Sequence, residues 1–326
     1  MTALVTGSSG HLGEALVRTL RERGAPVVGL DVVPSPFTDR IGSIDDEAVV
    51  RDAVRGVDVV YHTATLHKPH VATHSEQRFV ATNVAGTLNL LQAAVAARVR
   101  AFVFTSTTST FGAAMNPAPG DPAVWVTEAL APVPKNIYGV TKVAAESLCE
   151  LFHRRDGLAC LVLKTSRFFP EPDDDPAVRA RFPAANAQAN EFLNRRVEIE
   201  DLVAAHLLAA GRAPDLGFGR YIVSATSPFE PADAAQLNRD AGAVIDRRVP
   251  EARDLYATLG WTLPDRLDRV YDNAAARRDL GWSPRWDFAA VVRDVAAGGR
   301  GRSGLVDAIG IKGYHGDRYA DGIYPV

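Results

Sequence analysis

The sequence predicts an α/β protein in which a doubly wound parallel sheet is joined to a smaller C-terminal lobe, and three observations predict it. The first is the opening stretch MTALVTGSSGHLG. Its apolar run at 2–5 breaks into Gly7, Gly10 and Gly13 before Ala15, Leu16, Val17 and Leu20 take up helical spacing. The second is an alternation of short apolar runs with amphipathic stretches from Thr2 to about Leu163, the pattern of a parallel sheet covered on both faces. The third is a change beyond Phe168 to charged, proline-rich chain followed by short helices.

A strand, a glycine turn and a helix in succession bring free N–H groups and the positive end of a helix dipole to one point, which suits a diphosphate. No Gly-Lys-Ser/Thr follows, which argues against a P-loop nucleotidase. A first helix is expected over 14–23 and a second strand over 26–30, ending in Asp31 at the separation of an acid that binds a ribose diol. A helix over 45–54 and a strand over 57–62 follow. The long helix at 76–98 carries Val80, Val84, Leu88, Leu91 and Val95 at three- and four-residue intervals. A strand at 101–105, a helix at 138–154 and a strand at 158–163 complete a first domain over 1–168, to which 197–225 returns with a helix at 200–210 and a strand at 220–224.

Residues 170–183 read as a loop across the mouth of the site, because ligands of such a sheet lie outside the carboxyl ends of its strands. Short helices over 233–241, 252–259 and 288–296 place the lobe within 169–300. A glycine-arginine linker at 298–304 leads to a tail over 301–326, where Tyr314, Tyr319 and Tyr324 could cover an edge or a subunit boundary.

The chain of 326 residues is 47% hydrophobic, enough for one large core or two lobes. Its 36 basic and 39 acidic residues leave a net charge of -3 with no long basic run, so a nucleic-acid partner is not expected. Met1 leads almost directly into the first strand, and no apolar run approaches the roughly 20 residues a membrane helix needs. A cytoplasmic protein with a small-molecule substrate and no membrane partner is expected. Cys149 and Cys160 are not a Cys-x-x-Cys pair and read as buried reduced thiols. His67, His70 and His74 have spacings that could serve a metal, but Pro69 interrupts the helix and only Glu76 is near, so no metal is expected.

Tyr138 and Lys142 stand four apart on a predicted helix and so share a face one turn apart. A free tyrosine is a poor base at neutral pH, and an ammonium beside it is expected to lower its pKa toward the working range. Six consecutive hydroxyl residues, 105–110, follow a predicted buried strand. One of them next to the phenol would put two donors on a single substrate oxygen.

Gly7-x-x-Gly10-x-x-Gly13, Asp31, His62-Thr63-Ala64, Asn83 before Val84-Ala85-Gly86-Thr87, the hydroxyl loop ending in Phe111-Gly112, and Tyr138-Gly139-Val140-Thr141-Lys142 together resemble an extended short-chain dehydrogenase/reductase. More narrowly they resemble the NAD-dependent epimerase/dehydratase family, whose glycine spacing this is. The match runs from Thr2 to about Phe169, and 198–206 and Leu280-Gly281-Trp282-Ser283-Pro284 resemble later segments. The resemblance implies a Rossmann fold with NAD as cofactor, a catalytic triad of Thr107, Tyr138 and Lys142, and a homodimer formed by the helices at 76–98 and 138–154. It also implies that His11 and Leu12 give N–H groups to the pyrophosphate, that Asp31 holds the adenosine ribose, and that Ser43 and Ile44 flank adenine. Thr63, Ala64, Asn83, Thr105 and Phe169 would line the rest. No basic residue directly follows Asp31, which favours NAD over NADP.

The sugar dehydratases and decarboxylases of the family carry acidic residues after the catalytic threonine, whereas Thr108 and Ser109 follow Thr107 here. Hydride transfer alone is therefore expected, returned to the substrate by an epimerase or kept by a dehydrogenase or reductase. A sugar or nucleotide sugar is the leading expectation. One departure weakens it: where the resembled 4-epimerases place an Asn after the Arg-aromatic-aromatic turn, Arg167-Phe168-Phe169 runs into Pro170 and Glu171. Acidic residues at 173–175 would also repel a diphosphate unless Arg179, Arg181, Arg195 or Arg196 offsets them. The alternatives are an oxidoreductase of a non-nucleotide carbonyl compound and a non-catalytic NAD-sensing module.

Overall fold

The structure, a computed structural model, describes residues 1–173 and 175–312. Tyr314, Tyr319 and Tyr324 lie outside the described residues. Nine strands occur among them: β1 (Ala3–Thr6), β2 (Val27–Asp31), β3 (Arg40–Ile41), β4 (Val59–His62), β5 (Ala101–Thr107), β6 (Val124–Val126), β7 (Cys160–Thr165), β8 (Phe218–Val223) and β9 (Arg269–Tyr271). Seven form one sheet in the order β3-β2-β1-β4-β5-β7-β8, with every neighbouring pair parallel. The order reverses beside β1, which opens a crevice at the carboxyl ends of β1 and β4.

Alternate strand residues supply opposite faces, as the two-residue period of a strand requires. Ala3, Val5, Val103, Leu161 and Leu163 pack beneath α1 (His11–Glu22) and, from later in the chain, a helix at Ile199–Leu216. Leu4, Val60, Phe102, Phe104, Cys160 and Val162 pack on the other face, beneath α2 (Glu47–Ala53), α3 (Glu76–Ala96) and α4 (Ile137–Asp156). The Ile199–Leu216 helix is α5. By length and composition α3 could cross a membrane, which corrects the expectation that no run is long enough. Its Leu90, Leu91, Ala93 and Ala94 are buried against the sheet side of the core. Cys149 and Cys160 are buried free thiols.

The lobe has a separate core of Phe192, Leu193, Phe229, Val244, Ile245, Tyr256 and Phe288, among others. Its two-stranded sheet pairs β6 with β9, so residues from the first half of the chain belong to it. The domain boundaries are accordingly more interlaced than expected. Ala276, Leu280 and Trp282 leave the lobe and join the main core, and Val306 and Ile309 do so from within the expected tail. The linker at 298–304 is held down: Gly301 N–H donates to Asp294 at 2.8 Å, and the buried Ser303 hydroxyl donates to Glu198 at 2.6 Å. The expected loop at 170–183 contains a helix, Pro176–Arg181, because Asp175 caps it and Pro176 occupies its first turn, where no N–H is needed. The single helix expected over 233–241 is two, Ala234–Leu237 and Ala241–Arg248, the second capped by Asp240.

Candidate active site

β1 ends at Thr6, and Gly7 turns the chain at φ 73°. The Gly10 N–H then donates to Gly7 O at 3.0 Å, and α1 begins at His11. Close packing explains the glycines. A Cβ on Gly7 would lie 2.7 Å from Ala64 N, and one on Gly13 would lie 1.9 Å from Gly7 O. Beside the turn, the buried Asp31 carboxylate accepts from Ser9 N–H and Val33 N–H, both at 2.9 Å. Each oxygen is thereby fixed while keeping lone pairs for a diol.

A cavity of about 750 Å³ runs from this turn along the carboxyl edge of the sheet to the lobe. Gly7, Gly10, His11, Leu12, Gly13 and Asp31 line one end. Ser43, Ile44, Thr63, Ala64, Thr105 and Phe169, which the resemblance assigns to the cofactor, also line the cavity. Phe169 stacks on His67 at 5.6 Å and meets His11 edge-on at 5.2 Å.

One expected cofactor contact turns inward, and the hydroxyl of another, Thr105, is engaged within the fold although the residue lines the cavity. Asn83 is not on the cavity wall. Its Oδ1 accepts from Leu66 N–H at 2.8 Å and its Nδ2 donates to Leu66 O at 2.9 Å and Thr141 Oγ1 at 3.1 Å, so it pins the loop after β4 to α3 and α4. It sits on a π-helical turn of α3, Val80–Ala85, a deformation often found at functional sites. The Thr105 hydroxyl donates to His206 Nε2 at 2.9 Å. The His206 Nδ1–H donates to Leu202 O at 2.8 Å, which leaves Nε2 as the acceptor. Burial holds His206 down at about 4, so the ring is neutral. Sequence reasoning missed His206, which lies 101 residues from its partner.

The three triad candidates meet at the far side of the crevice. β5 runs on to Thr107, two residues beyond its expected end, so this hydroxyl is presented by a strand terminus rather than by a free loop. Asn136 caps α4 by accepting from Gly139 N–H at 3.1 Å, which puts Tyr138 in the first turn and Lys142 one turn on. Thr107 accepts from Ser109 N–H at 3.1 Å, and its hydroxyl lies on the side of the Tyr138 phenol where it favours the phenolate. Thr107, Tyr138 and Lys142 all line the cavity.

The electrostatics differ from expectation. Burial pushes the Tyr138 phenol up to about 12, and the Thr107 hydroxyl offsets only part of that rise. Lys142 does not lower it. The ammonium donates to Thr105 O at 2.6 Å and lies 4.2 Å from the centre of the Phe104 ring, and burial pulls it down to about 7 while Glu146 opposes the fall. Spacing alone foretold the neighbour but not the desolvation of both groups.

At the histidine cluster, Lys68–Ala72 is a single 3-10 turn in which His70 Nδ1 accepts from His67 N–H at 3.0 Å. Among the described residues no group of three or more His, Cys, Asp or Glu could hold a metal ion.

A family model described as the NAD dependent epimerase/dehydratase family matches residues 3–214. The chain belongs to this family. It is an NAD-dependent enzyme, and the site described above fits that cofactor: glycine turn, helix N-terminus and Asp31 in one continuous cavity. The 3 beta-hydroxysteroid dehydrogenase/Delta 5-4-isomerase of Mycobacterium tuberculosis is 29% identical over 86% of this chain and 85% of its own. The UDP-glucose 4-epimerase of Streptomyces lividans is 25% identical over 89% of this chain and 94% of its own. Among solved structures, a short-chain dehydrogenase/reductase superfamily protein from Agrobacterium tumefaciens with bound NAD has a TM-score of 0.65 at 24% identity, covering 91% of this chain and 98% of that one. That likeness shows the fold.

Proposed function

We propose that this family member is a dehydrogenase or reductase that interconverts a secondary alcohol and a ketone on a non-nucleotide substrate. The observation that carries the proposal is the state of the cations meant for a diphosphate. Arg195 reaches Asp173 and Glu191, both at 2.9 Å, and Arg196 reaches Glu191 and Phe169 O, both at 2.6 Å. Arg179 donates to Asp173 O at 2.7 Å, and Arg181 pairs with Asp265 at 2.7 Å. A diphosphate would have to displace carboxylates from Arg181, Arg195 and Arg196, of which Arg195 lines the cavity, at a cost of broken charge-assisted bonds. Pro170 in place of the anchoring Asn points the same way. Met115, Phe168, Phe169 and Tyr271 offer apolar surface in the cavity instead, which suits a skeleton such as the steroid in the name of the mycobacterial relative.

When bound, NAD supplies the hydride acceptor. The Thr107 hydroxyl and the Tyr138 phenol grip the carbinol oxygen between them, and Tyr138 takes the hydroxyl proton during oxidation and returns it during reduction. Because burial keeps the phenol protonated at neutral pH, oxidation requires the scarce phenolate and reduction the abundant phenol. Oxidation is therefore expected to gain rate as pH rises through neutrality, and reduction is not.

The test is a panel of secondary alcohols and ketones, neutral and sugar-linked, with NADH absorbance as the readout. Net NADH formation or consumption on a non-nucleotide substrate is the expected result. Interconversion of nucleotide sugars without net NADH would establish the second reading, epimerisation. That reading is favoured by the end-to-end alignment with the Streptomyces lividans epimerase.

The same reading includes a homodimer through α3 and α4, supported by Val80, Val140 and Leu151, which are 47%, 49% and 39% exposed. Light scattering is expected to give twice the chain mass, and Val140→Asp to shift it toward the monomer. A wild-type monomer at working concentration would remove the dimer.

A further inference from the structure

Behind the triad lies a buried polar array that the proposed chemistry does not use. Glu146 stands one turn beyond Lys142 on α4 and is 3% exposed; Lys164, on β7, is 2% exposed. Their Nζ–Oε1 distance is 2.8 Å. Glu146 also accepts from the Ser106 hydroxyl, and Lys164 also donates to Thr110 Oγ1 at 2.8 Å. Arg220, on β8, closes the outer side, 3.5 Å from Glu146 and 2.7 Å from Glu150.

A buried ion pair is often no more stabilising than an apolar pair of the same volume, since burying two charges costs about what their attraction returns. Stability therefore does not explain the pair. Direction does: Ser106 and Thr110 bracket Thr107, and the helix holding Glu146 also carries Tyr138 and Lys142. We propose that the Glu146–Lys164 pair is the positioning device of the triad, locking the Thr107 strand end to the Tyr138 helix and giving Lys142 its counter-charge. Other groups face Lys142 from the elements around it. They are the Thr105 carbonyl and Phe104 ring on β5, His62 on β4, Lys164 on β7, and the Cys149 thiol on α4 itself. Glu146 is the carboxylate among them, and it counters the burial that drives Lys142 toward the neutral amine.

The inference rests on Thr107, Tyr138 and Lys142 acting together, not on the substrate class. The chain has five lysines, so carbon-13 labelling of their ε-carbons lets Lys142 be titrated directly by NMR. In Glu146→Gln the Lys142 midpoint is expected to fall by about one pH unit. Turnover should fall about tenfold or more while the KM for NAD changes less. Glu146→Asp, which keeps the charge, is expected to retain the midpoint and recover part of the turnover. If Glu146→Gln alone fails to fold, the double variant with Lys164→Met removes both charges. A smaller fall of the same sign is then expected, because Glu146 acts on Lys142 more strongly than Lys164 does. A purely structural role would lower thermal stability and leave the Lys142 midpoint at its wild-type pH, and that result in either folded variant overturns the proposal. Failure of the triad itself is read separately, from Tyr138→Phe.

Discussion

Tyr138→Phe is expected to lower turnover by about a hundred- to ten-thousandfold, the range contributed by a positioned proton-transfer group, while NAD affinity stays near wild type. The substitution removes one oxygen and leaves a ring that is 8% exposed in its packed place at the start of α4. Thr107 keeps its hydrogen bond from Ser109 N–H, so the loss of the phenol does not orphan its hydroxyl. Calorimetric NAD titration and NADH release on the same preparation separate binding from chemistry. Retained turnover would remove Tyr138 from the reaction and with it the reading of the whole crevice.

Gly13→Ala acts on the other end of the cavity and through sterics alone. The new methyl would sit 1.9 Å from Gly7 O and 2.6 Å from Gly7 C, both backbone atoms of the glycine turn proposed as the diphosphate cradle. Neither can yield without moving α1 away from β1. Overpacking of this kind costs about 3 kcal/mol or more, and the displaced turn is expected to abolish NAD binding. Gly211→Ala provides the contrast: nothing lies within 4 Å of its added Cβ on α5, so its effect should be neutral or stabilising by up to about 1 kcal/mol. Urea unfolding together with NAD titration checks both variants. Tight NAD binding by Gly13→Ala would show that the turn is not the diphosphate cradle.

Much of this was legible because it is local. The glycine turn, Asp31 at the end of β2 and the Tyr138–Lys142 spacing each lie within a few residues of their own signal, and the parallel alternation fixes which strand ends face the crevice. Other features carried no such mark. β6 pairs Val124 with Arg269, and a strand of three residues has no period to detect. Pro176 read as a loop residue, yet a proline is well placed in the first turn of a helix. Asn83 looked like a cofactor contact, and only the folded chain turns its amide onto Leu66 and Thr141.

Apolar periodicity, glycine spacing and the one-turn offset of a phenol and an amine act over short windows, so the bare order of residues was enough for the sheet, the glycine turn and the placing of a phenol and an amine on one helix face beside the crevice. Their charge states were not contained in any window. Desolvation of Tyr138 and Lys142 sums the packing of β4, β5, α4 and β7, and Glu146 gains its partners Ser106 and Lys164 from positions 40 and 18 residues away. Electrostatic energy depends on distance through space and on the surrounding medium, and both come into being only when the chain closes on itself.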